Sequence, residues 1–190
     1  MLYKELTAEQ QATSDFVRLT CEGEICWGVG SVRWHGVLGM GKSEELWNAT
    51  YAAYFDAIPA FLRPIVVSMV RVNFFRDAWG QGLARHSPND QKYLVCRAVQ
   101  ALSTSLGSKE FFLGDFPSEC DCIALGALGC ALDDSKWNNE LTDFIRAECP
   151  NLEAYERRTK ALIFPDRHPG DLMTVGKSQY KGIPPPPQYP

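Results

Sequence analysis

Phe16, Leu19, Gly23, Cys26, Trp27, Gly30 and Trp34 follow one another at intervals of three and four residues or their near neighbours. This is the period of one helix face, and it predicts a first helix of about seven turns with those residues as its apolar stripe. Glu22 and Glu24 fall off the stripe, and the helix should stop near His35, where glycines at 36, 39 and 41 cluster. A second helix is predicted from Ser43, as N-cap, to about Tyr54, with Glu44 and Glu45 suited to its positive end. A third runs from near Pro64 to Trp79 and is ended by Gly80 and Gly82.

Ser87-Pro88-Asn89-Asp90 marks the next start: an N-cap serine, proline at the first helical position and an acid at the third. Leu94, Val95, Ala98, Ala101, Leu102 and Leu106 carry that helix to Gly107. Ser118 and Asp121 then form a capping box before a run to Leu132 that is apolar and small-sided throughout. This is read as the central buried helix, surrounded by its neighbours, with Gly126 and Gly129 placed where helices approach closely. Two shorter helices follow, from about Asn138 to Glu148 and from Asn151, as cap, to about Leu162, with Leu152 and Tyr155 facing inward. Few stretches alternate with period two. The expected fold class is therefore all-α, a helical bundle.

Composition changes at residue 166. Pro, Gly, Lys, Ser and Gln dominate from there, and the chain ends GIPPPPQYP, so residues 167–190 are expected to be a disordered Pro-rich tail behind a helical domain of residues 1–166. Across 190 residues, 45% are apolar and 22% charged, with a net charge of −4, which gives nucleic-acid binding no electrostatic footprint. The seven cysteines (21, 26, 96, 120, 122, 130 and 149) lie mostly in helical patterns beside small apolar residues, and MLYKELTAEQ lacks the apolar core of a signal peptide. Reduced thiols and a cytoplasmic location are the expectation. The most membrane-like stretch, residues 58–75, is interrupted by Arg63 and Arg71 and broken by Pro59 and Pro64. It reads as a packed helix, with peripheral membrane contact as the alternative.

Residues 36–43, GVLGMGKS, match the phosphate-loop pattern G-x-x-x-x-G-K-[ST]. Such a loop works when a buried strand delivers the chain to it and the next helix points its N-terminus at the phosphates. The preceding CWGVGSVRW continues a helical stripe and no parallel sheet is in sight, so nucleotide binding through Gly36, Gly41, Lys42 and Ser43 is a remote alternative. Cys120, Asp121 and Cys122 could suggest a soft metal, but Asp121 belongs to the capping box and neighbouring helical positions diverge by about 100°. No catalytic residue, cofactor site or metal site is assigned. His35, His86 and His168 stand singly at turns. Pro186, Pro187 and Tyr189 spell the P-P-x-Y ligand pattern of WW domains, so a WW-domain protein is one expected partner of the tail.

Gly114-Asp-Phe-Pro-Ser118-Glu-Cys-Asp121 resembles the G-x-x-x-[ST]-x-x-D motif of the glutathione S-transferase C-terminal domain. QGLARHS (81–87), ALSTSLGSKEFFLGDFPSECD (101–121) and PNLEAYERRTKALIFPD (150–166) further resemble, in the same order, the failed-axon-connections and metaxin branch of that superfamily. The resemblance implies a glutathione S-transferase C-terminal-like bundle whose central helix is nucleated by Ser118 and Asp121. It also implies a thioredoxin-like domain ahead of the bundle, which carries glutathione and the catalytic Tyr, Ser or Cys. That domain is expected to be absent from this chain, so glutathione is expected as cofactor only if it is supplied. The implied function is a non-catalytic helical interaction domain that forms a homodimer or docks a protein partner, or alternatively a transferase remnant with weak glutathione or hydrophobic-ligand binding. Members of this branch are associated with axon development, mitochondrial outer-membrane import and metal response more than with conjugation.

Overall fold

A computed structural model describes residues 6–34, 44–132 and 140–165, and all of its regular structure there is helical. Thr7 opens α1 (Ala8–Thr20) with a reciprocal box: its hydroxyl accepts from the Gln10 amide at 3.2 Å, and the Gln10 side chain accepts from the Thr7 amide at 3.1 Å. The helix passes through a π turn, Cys21–Ile25, directly into α2 (Cys26–Arg33), so the first rod is as long as the periodicity predicts. A π turn leaves the helical ladder locally wide. Here the side-chain amide of Gln81 donates to the Gly23 carbonyl at 2.6 Å.

The buried face of this rod differs from the expected one. Val17, Cys21, Ile25, Val29 and Val32 line the core, whereas Phe16 and Leu19 are 71% and 56% exposed and Cys26 is exposed. The aromatic stripe is a second face, and only its far half is covered. Phe74 meets Trp27 and Trp34 there, with ring centroids at 5.6 and 6.0 Å, and a Cβ on Gly30 would stand 2.7 Å from its ring. A rod with apolar side chains on two faces fits either phase, and the larger aromatics mark the wrong one.

After α3 (Glu44–Phe55), α4 (Arg63–Gln81) runs back along the rod and ends at Gly82, whose φ of +120° suits glycine. A 3-10 turn, Leu83–Arg85, leads to α5 (Pro88–Leu106). Ser87 caps α5, accepting from the Asp90 amide at 3.3 Å and donating to its carboxylate at 2.6 Å. Then follow α6 (Glu119–Leu132), α7 (Glu140–Glu148) and α8 (Pro150–Ile163). The core lies where α1, the π turn and α2 pack on α5 and α6, with α7 and α8 closing the other side.

Helix α6 is central but not enclosed. Cys120, Asp121, Ala124 and Leu128 are wholly buried, yet Glu119, Cys122, Gly126 and Cys130 form an exposed edge. A Cβ on Gly126 would meet nothing within 4 Å, and on Gly129 only the Glu156 carboxylate at 3.9 Å, so these glycines do not mark close helix contacts. The close contact is at Gly28, where a Cβ would lie 2.5 Å from Val95 Cγ1. Asn151 also differs from expectation. Cys149 is the N-cap of α8 and Pro150 its first residue, while Asn151 turns to α5. Its amide donates to the Ser103 and Gly107 carbonyls at 2.9 and 3.2 Å, and its oxygen accepts from the Ser103 hydroxyl at 2.6 Å. Leu152 and Tyr155 are fully buried.

Candidate functional site

Two places stand out: a buried polar centre at the start of α6, and an apolar face on α4. The polar centre is built on Asp121, which has no exposure to solvent. One carboxylate oxygen accepts from the Ser118 amide at 2.9 Å and from the Ser118 hydroxyl at 2.6 Å. The other accepts from the Phe112 amide at 3.0 Å and the Tyr155 hydroxyl at 2.9 Å. The four donors come from three pieces of the fold. Ser118 is the residue before α6, Phe112 sits in the turn closed by Phe111 and Gly114, and Tyr155 reaches across from α8. The Phe112 ring packs edge-on against Tyr155 with centroids 5.2 Å apart.

A carboxylate with four donors and no water access has its charge answered in place. Burial raises the Tyr155 phenol well above its ordinary range, and the adjacent Asp121 charge raises it further. Tyr155 therefore keeps its proton on Asp121, and this pair is neither a base nor a nucleophile. It is a clasp joining α6, α8 and the 111–114 turn.

Cysteine chemistry is similarly quiet. Cys21, Cys120 and Cys149 are buried, and all seven thiols are free. Desolvation pushes Cys21 from 9.0 up to about 12 and raises Cys26, Cys96, Cys120 and Cys149. A thiol held protonated is a poor nucleophile and metal ligand. Cys120 points into the core while Cys122 is exposed, and among the described residues no group of three or more His, Cys, Asp or Glu side chains is placed to hold a metal.

Residues 36–43 of the phosphate-loop pattern, His35, His168 and the Pro186, Pro187 and Tyr189 motif lie outside the described residues. What precedes the glycine segment is the helix α2 rather than a strand. The backbone carbonyl of the remaining histidine, His86, accepts from Gln91 at 2.8 Å.

The stretch from residue 58 to 75, expected to be a packed helix, is packed along one arc only. Helix α4 turns Val70, Phe74 and Ala78 toward the body of the protein, and Ala78 is completely buried. On the opposite arc Ile65, Met69, Val72, Phe75 and Trp79 are 59%, 60%, 64%, 42% and 50% exposed, and Phe61 in the turn before the helix is 78% exposed. Arg76 stands within this arc, 3.6 Å from Asp77, and Arg85 lies over the Trp79 ring at 6.0 Å. Among the described residues no helix is long and apolar enough to cross a membrane.

The family model of the glutathione S-transferase C-terminal domain matches residues 95–159, which hold most of α5 and α8 and all of α6 and α7. The chain is 28% identical to human Metaxin-2 over 123 residues, 65% of this chain and 46% of that protein. It is 26% identical to Failed axon connections of Drosophila melanogaster over 164 residues, 85% of this chain and 39% of that protein. The helical domain is thus similar to the transferase C-terminal domain and to metaxin and failed-axon-connections proteins, and the matches span less than half the length of these relatives. No solved structure matches it.

Proposed function

We propose that this chain serves as a non-catalytic interaction domain in the cytoplasm and that the outer face of α4 is its working surface. The observation that carries the reading is the run of six large apolar side chains from Phe61 to Trp79, each at least 42% exposed. Together they expose on the order of 700 Å² of apolar side chain, more than the ~300–600 Å² of the largest patch on an ordinary monomer. Core packing does not account for them, because the opposite arc of the helix already supplies that. The clasp around Asp121 supports the non-catalytic half of the reading, since its proton and its acceptors are consumed in holding helices together.

The test places a photo-crosslinking amino acid at Val72 and, as control, at Tyr93 on α5, which is equally exposed at 64%. In cells the Val72 probe should form a protein adduct that Met69→Glu abolishes, and the Tyr93 probe should not. Absence of any adduct from Ile65, Val72 or Trp79 would remove the interaction reading. Saturable glutathione conjugation by the purified chain would remove the non-catalytic one.

A further inference from the structure

We infer that Cys26 and Cys130 are a redox pair: two exposed thiols on the neighbouring helices α2 and α6, held in register, that close to a disulfide when the protein meets a peroxide. The inference does not depend on what binds the α4 face.

The register follows from two contacts between the first rod and α6. Ser14 hydrogen-bonds the Cys120 thiol at the start of α6, and the Arg33 guanidinium donates to the Cys130 carbonyl, at 2.8 Å, near its end. The rod and α6 therefore run in the same direction. Cys26 lies seven residues before Arg33 on α2. At 100° per residue this puts the two side chains on one face, about 20° apart. Helical side chains lean toward the N-terminus, whereas carbonyls point toward the C-terminus. Arg33 leans back to reach the Cys130 carbonyl, and the Cys130 thiol lies further back still, on the Cys26 side of that bond.

Access and electrostatics agree with this placement. Both thiols are exposed, and Gly126, one turn before Cys130, leaves open space on the same edge of α6, since a Cβ there would meet nothing within 4 Å. Burial, and after it the charge of Cys130, raises the Cys26 thiol, so the two sulfurs act on each other. The other neighbouring thiols are closed to a solute. Cys21 and Cys120 are wholly buried, and Cys149, which acts on Cys96, is buried as well.

The oxidant is hydrogen peroxide, and the chemistry balances. The thiolate of one cysteine attacks a peroxide oxygen; an S–O bond forms as the O–O bond breaks, and the released oxygen takes up the thiol's proton and leaves as water. The second thiol attacks the resulting sulfenic sulfur; the S–S bond forms as the S–O bond breaks, and the second oxygen leaves as water with the second proton. Two electrons pass from the thiols to the peroxide. Because Cys26 is held protonated, closure is slow at neutral pH and quickens as pH rises. The pair thus answers to sustained peroxide. The link ties α2, whose Trp27 and Trp34 seat Phe74 of α4, to α6, and it closes a loop of about 100 residues.

The test treats the full native chain with about 1 mM hydrogen peroxide at about pH 8, blocks the remaining thiols with N-ethylmaleimide and maps linked peptides by fragmentation mass spectrometry. The oxidised monomer should lose two hydrogens, show a Cys26–Cys130 link, and unfold at a urea midpoint at least about 1 M above that of the reduced chain. Dithiothreitol should reverse all three. Cys26→Ser and Cys130→Ser should each abolish the link, whereas Cys122→Ser, on the same exposed edge of α6, should leave it. Circular dichroism checks that each variant is folded, with the alanine variants as substitutes. Oxidation that ends in sulfinic acid at either residue would overturn the inference, as would a link to any other cysteine or one only between two chains. A Cys26–Cys130 link that forms only in urea, or that lowers the midpoint, would show that the native helices do not hold the two thiols in register.

Discussion

Replacing Asp121 by alanine should be the most damaging single change in this fold. Four donors converge on its carboxylate, and alanine leaves the Phe112 amide, the Ser118 amide and the Tyr155 hydroxyl without that acceptor. The fourth, the Ser118 hydroxyl, can turn to the Cys120 sulfur, 3.2 Å away. An unsatisfied buried donor costs about 1–3 kcal/mol. Removing the cost of burying a charge offsets part of this, so the lower end applies and the loss should be about 3–4 kcal/mol. In a domain of this size, with an m-value of about 2 kcal/mol/M, the urea midpoint should fall by about 1.5–2 M. Asp121→Asn should be nearly as harmful, because either oxygen replaced by NH2 points a donor at two donors. Tyr155→Phe should cost only about 1 kcal/mol, and adding it to Asp121→Ala should cost less than that, since the hydroxyl it removes then keeps only the backbone carbonyl of residue 121, 3.3 Å away. A midpoint shift below about 0.5 M for Asp121→Ala, equivalent to about 1 kcal/mol, would refute the clasp.

The remaining expectations concern packing, a helix end and alkaline pH. Gly126→Ala should stabilise by up to about 1 kcal/mol, because helix propensity gains where a Cβ meets nothing. Gly28→Ala should destabilise by about 1–2 kcal/mol despite the same propensity gain, because its Cβ would overlap Val95; paired urea melts of opposite sign are the check. Asn151→Asp should destabilise by about 1–2 kcal/mol, since it removes two donors and sets a negative charge against the carbonyl end of α5. A neutral or stabilising result would restore Asn151 as an N-cap. Above pH 9 the unfolded chain releases the Cys21 proton, whereas the folded chain holds it to about 12. Tyr155 adds a second such group from about pH 10. Stability is therefore complete below pH 9 and should fall above it by about 1.4 kcal/mol per pH unit for each group involved. Urea midpoints that stay level from pH 8 to 10.5 would contradict this, and Cys21→Ala should soften the fall.

Much of the fold was legible because caps and spacings are local. Ser87-Pro88 and the run to Gly107 mark α5 closely, and the first rod has its predicted length despite a π turn. What local signals could not supply was the choice of face. The rod carries apolar residues on two arcs, and the one with the larger aromatics is covered only where α4 passes, by Phe74. Glycine was misjudged for a related reason. Glycine inside a helix means either a close neighbour or nothing at all, and only the third dimension separates Gly28 from Gly126. Asn151 next to proline looks like a cap, but Pro150 at the first helical position moves the cap to Cys149 and frees the asparagine for another helix.

The two notable places in the molecule differed in legibility for a physical reason that also bears on how they work. Ser118 and Asp121 are three residues apart, so their partnership shows in the sequence, although Tyr155, which completes it from 34 residues away, could not be linked to them. The α4 face needs the opposite kind of information, namely that the fold uses the other arc and leaves this one open. Apolar periodicity is identical for a covered and an uncovered arc. The clasp and the face share no hydrogen-bond partner, and substitutions on the outer arc remove no core contact. Folding and association should then be separable: Ile65→Lys leaves the unfolding free energy within about 0.5 kcal/mol of the wild type while abolishing association, and Asp121→Ala does its damage through stability alone. The six large apolar side chains that this face keeps largely in solvent are the observation on which the proposed interaction rests.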